Sequence, residues 1–137
     1  MAIRFFRFKR KINNNGVVVD KYMANMQKET TIDFEKMSEM IEKKSTMSRG
    51  DVMGVLAEVE VTSCYMLEKG HPVNLGLLGT FYPGIETKSV DSPEKVTSKL
   101  IKRLKILFKP STYLKKRLKN VSFELGDNRV REVKYNN

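Results

Sequence analysis

The sequence predicts an α+β domain: a two-helix hairpin, an antiparallel sheet drawn out into a long β-arm, a short C-terminal helix and an extra N-terminal β-hairpin. Three observations carry this. Residues 33–69 hold two stretches with apolar residues at helical spacing. Residues 73–110 read as apolar alternation, polar turn, apolar alternation. Positive charge is kept away from the helices: residues 85–120 carry +8 of the chain's +10, while residues 33–69 sum to −3.

Residues 3–26 predict the first hairpin. Residues 3–8 are aromatic and β-prone, Asn13-Asn14-Asn15-Gly16 is a strong turn signal, and Val17-Val18-Val19 resumes a strand. Phe5 and Phe6 fall on opposite faces, so both faces are expected to be covered. Two readings stay open: extra strands that cap the core, and a binding role for Arg4, Arg7, Lys9, Arg10 and Lys11. Residues 27–31 read as a linker.

Asp33 suits the N-cap of a first helix running to about Lys44, with Phe34, Met37 and Ile41 as its stripe. Ser48 and Asp51 form a capping-box pair that opens a second, longer helix, and Gly70 is a natural stop. Its apolar residues extend over five turns, wide enough for a core and a partner subunit. Cys64 and the methionines are expected to pack there, and His71 to be solvated at the helix end.

Residues 73–81 read as one strand, alternating through Val73, Leu75 and Leu77 before Gly79. Residues around Asp91-Ser92-Pro93 make the turn. The returning strand alternates Leu104, Ile106 and Phe108 with Lys102, Arg103, Lys105 and Lys109. This predicts a ribbon with one packing face and one cationic face, a shape that fits a DNA groove. Ser111 caps a third helix with Tyr113, Leu114 and Leu118 inward and Lys115, Lys116, Arg117 and Lys119 on its basic side. Residues 121–125 could close the sheet, and residues 126–137 are expected to be loosely held.

With 137 residues the length suits one domain, and 40% apolar content supports only a modest core, which small domains often complete by dimerising. A single cysteine excludes a disulfide framework and fits a reducing compartment. The basic, aromatic start lacks the apolar core of a signal peptide, and no run is long enough to span a membrane. One His and one Cys cannot make a usual zinc site, and no Ser-His-Asp, P-loop or GxGxxG pattern is present. Hence no enzyme, no cofactor and no small-molecule substrate are expected. The segregated charge points to a polyanion. The expected DNA contacts are Lys88, Lys95, Lys99, Lys102, Arg103, Lys105, Lys109, Lys115, Lys116, Arg117 and Lys119.

The order of elements and three motifs resemble the HU/integration-host-factor family of bacterial histone-like DNA-binding proteins. The matching residues are Ser48-Arg49-Gly50-Asp51-Val52, Val73-Asn74-Leu75-Gly76-Leu77-Leu78-Gly79-Thr80-Phe81 and Phe108-Lys109-Pro110-Ser111. The resemblance covers residues 32–121 as the DNA-binding region, leaving residues 1–31 as a hairpin extension and 122–137 as a strand or tail. Those additions resemble the longer HU-related branch of Bacteroides-type bacteria. The resemblance implies an intertwined homodimer in the cytoplasmic nucleoid that condenses double-stranded DNA, its arms in the minor groove and Pro93 wedged between base pairs. The chain departs from the family where Asp91, Ser92 and Glu94 surround Pro93, and where Pro83-Gly84 interrupts the outgoing strand, which predicts a bent or shortened arm. The alternative is an assembly or adaptor protein of the same fold that has lost DNA bending. RNA binding is weakened by the absence of an RNP-type strand or GxxG clamp.

Overall fold

The computed structural model of the chain describes residues 2–132. The element order is β1 (Ile3–Asn14), β2 (Val17–Met26), α1 (Phe34–Glu42), α2 (Arg49–Glu68), β3 (Val73–Asn74), β4 (Gly79–Thr87), β5 (Ile101–Pro110), α3 (Thr112–Lys119) and β6 (Phe123–Glu132). Two compact units result, one from Met1–Thr31 with Leu118–Asn137 and one from Ile32–Arg117.

The α+β class holds, but the expected architecture does not. Strands dominate, in two separate three-stranded sheets ordered β2-β1-β6 and β3-β4-β5. The HU/IHF-like plan of a two-helix hairpin with one sheet and a long β-arm, the basis of the expected intertwined dimer, is therefore corrected. The physical reason lies in two long-range pairings. β6 adds parallel to β1, so the N-terminal hairpin is built into a sheet with β1 as its central strand rather than hanging as an appendage. The β4–β5 ladder ends at Thr87↔Ile101, and no strand carries it further through residues 88–100.

In the first unit, Asn15 and Gly16 both take positive φ, 53° and 85°, as a two-residue hairpin requires. β1 and β2 then pair without a break from Phe5↔Met26 to Asn14↔Val17. Against β6 the register slips between Phe5↔Leu125 and Arg7↔Val130. Gly126 sits in this irregularity, where a Cβ would come 2.6 Å from Gln27 Oε1. The expected loose tail is thus a strand as far as Glu132; residues beyond lie outside those described.

In the second unit, α1 is capped by Asp33, whose carboxylate accepts from Lys36 N at 2.8 Å. α2 opens on a complete capping box: Ser48 Oγ accepts from Asp51 N at 3.1 Å, and Asp51 accepts from Ser48 N at 3.3 Å. It closes with a Schellman turn at Gly70, where His71 N donates to Met66 O and Gly70 N to Leu67 O. α1 packs on α2, and α2 on β3 and β4. Arg49 joins the helices, its guanidinium on Glu35 and its backbone N–H on Glu42 Oε1.

The expected single strand at residues 73–81 is corrected. β3 and β4 are antiparallel partners, Val73↔Phe81 and Asn74↔Thr80, with residues 75–78 turning between them. Gly76 at φ 63° and Gly79 at φ 144° make that reversal possible. Asn74 Oδ1 accepts from Gly76 N, and Leu75 N donates to Gly79 O. The alternation of Val73, Leu75 and Leu77 imitated a strand across a turn.

Candidate nucleic-acid interface

The β4–β5 ribbon sorts its side chains by register. Phe81, Pro83 and Ile85 share a face with Phe108, Ile106 and Leu104. The Phe81 and Phe108 rings sit 4.9 Å apart, centroid to centroid, and anchor that face. Thr80, Tyr82, Gly84 and Glu86 share the other with Lys109, Leu107, Lys105 and Arg103. The cationic face therefore holds Arg103, Lys105 and Lys109, interrupted by exposed Leu107. Lys102 is the extra residue of a bulge between Glu86↔Arg103 and Thr87↔Ile101, a device that re-aims a side chain. Pro83 stays within the strand, opposite Ile106.

β5 leads into α3 through Ser111. Its Oγ donates to Leu77 O and accepts from Leu114 N, so one hydroxyl fixes the helix start to the β3–β4 turn. Gly79 reinforces this junction: its Cα lies so close to Lys109 O that an added Cβ would stand at 2.3 Å. The result is a rigid passage from Lys109 to Lys115 and Lys116.

The eleven expected contact residues divide into two kinds. Arg103 is committed: its Nε donates to Glu86 Oε2 at 2.6 Å. Arg117 donates to Tyr113 Oη at 3.1 Å and lies over that ring. The other nine, Lys88, Lys95, Lys99, Lys102, Lys105, Lys109, Lys115, Lys116 and Lys119, are exposed and their ammonium groups have no ion-pair or hydrogen-bond partner among the described residues. Elsewhere Lys11, Lys21, Lys28 and Lys44 are likewise without such a partner among the described residues, but other lysines are committed. Lys36 and Lys43 both hold Glu39, and Lys9 holds Asp20.

Lys88, Lys95 and Lys99 belong to the segment between the strands, which folds into short 3₁₀ turns at Pro93–Lys95 and Ser98–Leu100. Pro93 opens the first turn and is exposed, flanked by Asp91 and Glu94. Among the described residues no group of His, Cys, Asp and Glu could hold a metal ion, and no helix is long and apolar enough to cross a membrane.

The basic residues of the first unit were only partly legible. Arg10, Lys21 and Arg131 are brought onto one face by pairings of β1 with β2 and β6. The alternation Arg129-Val130-Arg131 was the one local signal that residues after 126 form a strand.

Comparison with known proteins places the chain in a family. Residues 1–125 match the profile of the HU-HIG family, described as an HU domain fused to a wHTH, Ig or glycine-rich motif, and the chain belongs to that family. A solved structure of a candidate bacterial DNA-binding protein from Bacteroides vulgatus ATCC 8482 has a similar fold, with a TM-score of 0.64 at 14% identity. The likeness covers 93% of this chain and 50% of the other, so the chain spans half the length of that neighbour. No curated protein matches.

Proposed function

We propose that the chain is a non-enzymatic, histone-like protein that clamps double-stranded DNA largely independently of sequence. The observation that carries this is the set of nine lysines along β5, its approach and α3 that have no partner among the described residues. Ammonium groups without protein partners are free to neutralise phosphates and release counterions. Membership of an HU-domain family supports DNA as the polyanion. Lysine is a flexible point charge that reads base edges poorly, so sequence preference would come from duplex deformability. A cytoplasmic, nucleoid-associated role in DNA condensation, as in the HU-related branch of Bacteroides-type bacteria, follows from the same reading. Changing Lys105, Lys109 and Lys116 to Glu should abolish a duplex gel shift; an unchanged shift would refute the clamp.

The reading includes a homodimer. Among the described residues Val52 is the only apolar side chain that is buried. The chain exposes 11900 Å², against about 7,300 Å² for a compact monomer of its mass and about 8,800 Å² if its units are taken as two separate globules. α2 leaves Met53, Val55, Val59, Val61 and Tyr65 exposed on more than one side, apolar surface that a partner could cover. An open hollow of about 740 Å³ lies against it, lined by Phe34, Val59, Cys64, Leu67, Leu75 and Phe81 among others. A second copy covering this hollow would complete the core. Sedimentation equilibrium should return twice the chain mass, and a well-folded monomer would refute the dimer.

An adaptor that has lost DNA bending is the second reading, favoured by Asp91 and Glu94 beside exposed Pro93. An end-labelled duplex separates the two. A FRET rise on binding that disappears in Pro93→Ala supports the wedge, one that persists leaves only the clamp, and no binding by the parent chain favours the adaptor.

A further inference from the structure

We propose that Tyr82 and Leu107 form an apolar bar across the ribbon's cationic face, which packs on deoxyribose and makes that face select DNA over RNA duplexes. The proposal rests on the DNA-binding reading above and concerns which polyanion the same face accepts. Alternation puts this face on the side of the ribbon away from α2, because Phe81 on the opposite face lines the hollow against that helix.

The register pairs of the face, taken toward α3, are Glu86↔Arg103, Gly84↔Lys105, Tyr82↔Leu107 and Thr80↔Lys109. The first pair neutralises itself, since Arg103 Nε donates to Glu86 Oε2 at 2.6 Å. The remaining cations are Lys105 and Lys109, neither with a partner among the described residues. Leu107 stands between them and is 53% exposed. Gly84 shapes the bar: a Cβ there would meet Leu107 Cδ1 at 3.7 Å and Lys105 Cγ and Cε at 3.8 Å. The leucine methyl and the lysine stem therefore lie together over the glycine. The methylenes of Lys105 extend the apolar strip while its ammonium reaches past it. Alternate residues of a strand are about 6.6 Å apart, so Lys105 and Lys109 start about 13 Å apart with Leu107 midway. A minor groove about 6 Å wide fits between them, so the lysines reach the phosphates on its two banks and Leu107 faces the sugar walls. Phosphates alone do not separate DNA from RNA; the sugars do. Deoxyribose offers a CH2 to the bar. Ribose offers a 2′-hydroxyl in a wide, shallow A-form minor groove, and covering that hydroxyl with Leu107 strips it of water without returning a hydrogen bond.

The test uses the full chain, fluorescein-labelled DNA and RNA duplexes of one 30-base-pair sequence, and anisotropy between about 50 and 200 mM NaCl. The parent chain should prefer DNA by about tenfold or more. Leu107→Asn should weaken DNA binding about tenfold, leave RNA binding unchanged and so bring the two affinities together. The slope of log affinity against log salt should stay the same, because no charge is altered. Leu107→Met should keep the parent preference. Lys105→Gln with Lys109→Gln should instead weaken both duplexes and flatten the slope by about 2 per chain, a signature that Leu107→Asn lacks. Circular dichroism melts confirm folding, and Leu107→Thr, polar but suited to a strand, serves if the asparagine variant unfolds. A parent chain that binds the two duplexes equally, or a DNA preference that survives in the folded polar variants, would overturn this proposal and leave the clamp intact. A parent chain that binds neither duplex would overturn both.

Discussion

Arg103 Nε donates to Glu86 Oε2 at 2.6 Å, and the two residues are register partners across the β4–β5 ladder. The one acid of the ribbon's cationic face therefore occupies its one arginine. Replacing Glu86 with Gln removes a negative charge and releases the guanidinium. Duplex affinity should rise several-fold, with little change in melting temperature, because the pair is exposed. Weaker binding in anisotropy would show that the pair holds Arg103 in its working position.

Gly79 is the backbone hinge of the site. Gly79→Ala places a Cβ 2.3 Å from Lys109 O and 2.9 Å from Pro110 Cα, at φ 144°. A cost of about 3 kcal/mol, read as a melting temperature lower by roughly 10 °C, is expected. Gly76→Ala meets nothing within 4 Å and should cost only about 1 kcal/mol, from its φ of 63°. Equal effects of the two variants would argue against the close β4–β5 approach.

Acid should loosen the helical unit in a defined window. Lys36 Nζ at 2.9 Å and Lys43 Nζ at 3.1 Å hold the Glu39 carboxyl down from 4.5 to about 2. Hydrogen bonds from Ser48 lower Asp51 as well. Both carboxylates are more acidic folded than unfolded, so their contribution is complete above about pH 4.5 and is lost as pH falls toward 2. Glu39→Gln should flatten the drop in melting temperature between pH 5 and pH 2.5, and salt should shrink the difference. An identical acid profile in parent and variant would remove the linkage.

Much of the local structure was legible because it is encoded within a few residues. Asp33, the Ser48–Asp51 box, Gly70 and the Asn15-Gly16 turn all act through bonds spanning a few positions. The sheets were less so. β6 joins β1 across more than a hundred residues, and its register slip around Gly126 breaks the alternation that would betray a strand. Within the site, the lysines of β5 and α3 stood out as charge alone. Which face each takes depends on the bulge at Lys102, and the commitment of Arg103 depends on the Glu86 register, neither of which adjacent residues specify.

The central claim is that unpartnered lysines of the ribbon and α3 bind duplex DNA by displacing counterions. The slope of log affinity against log salt for a plain duplex measures this directly. If a dimer makes about 6–10 phosphate contacts, affinity should fall by roughly 10³–10⁵ between 50 and 200 mM NaCl. An affinity that stays level over that range would contradict the account.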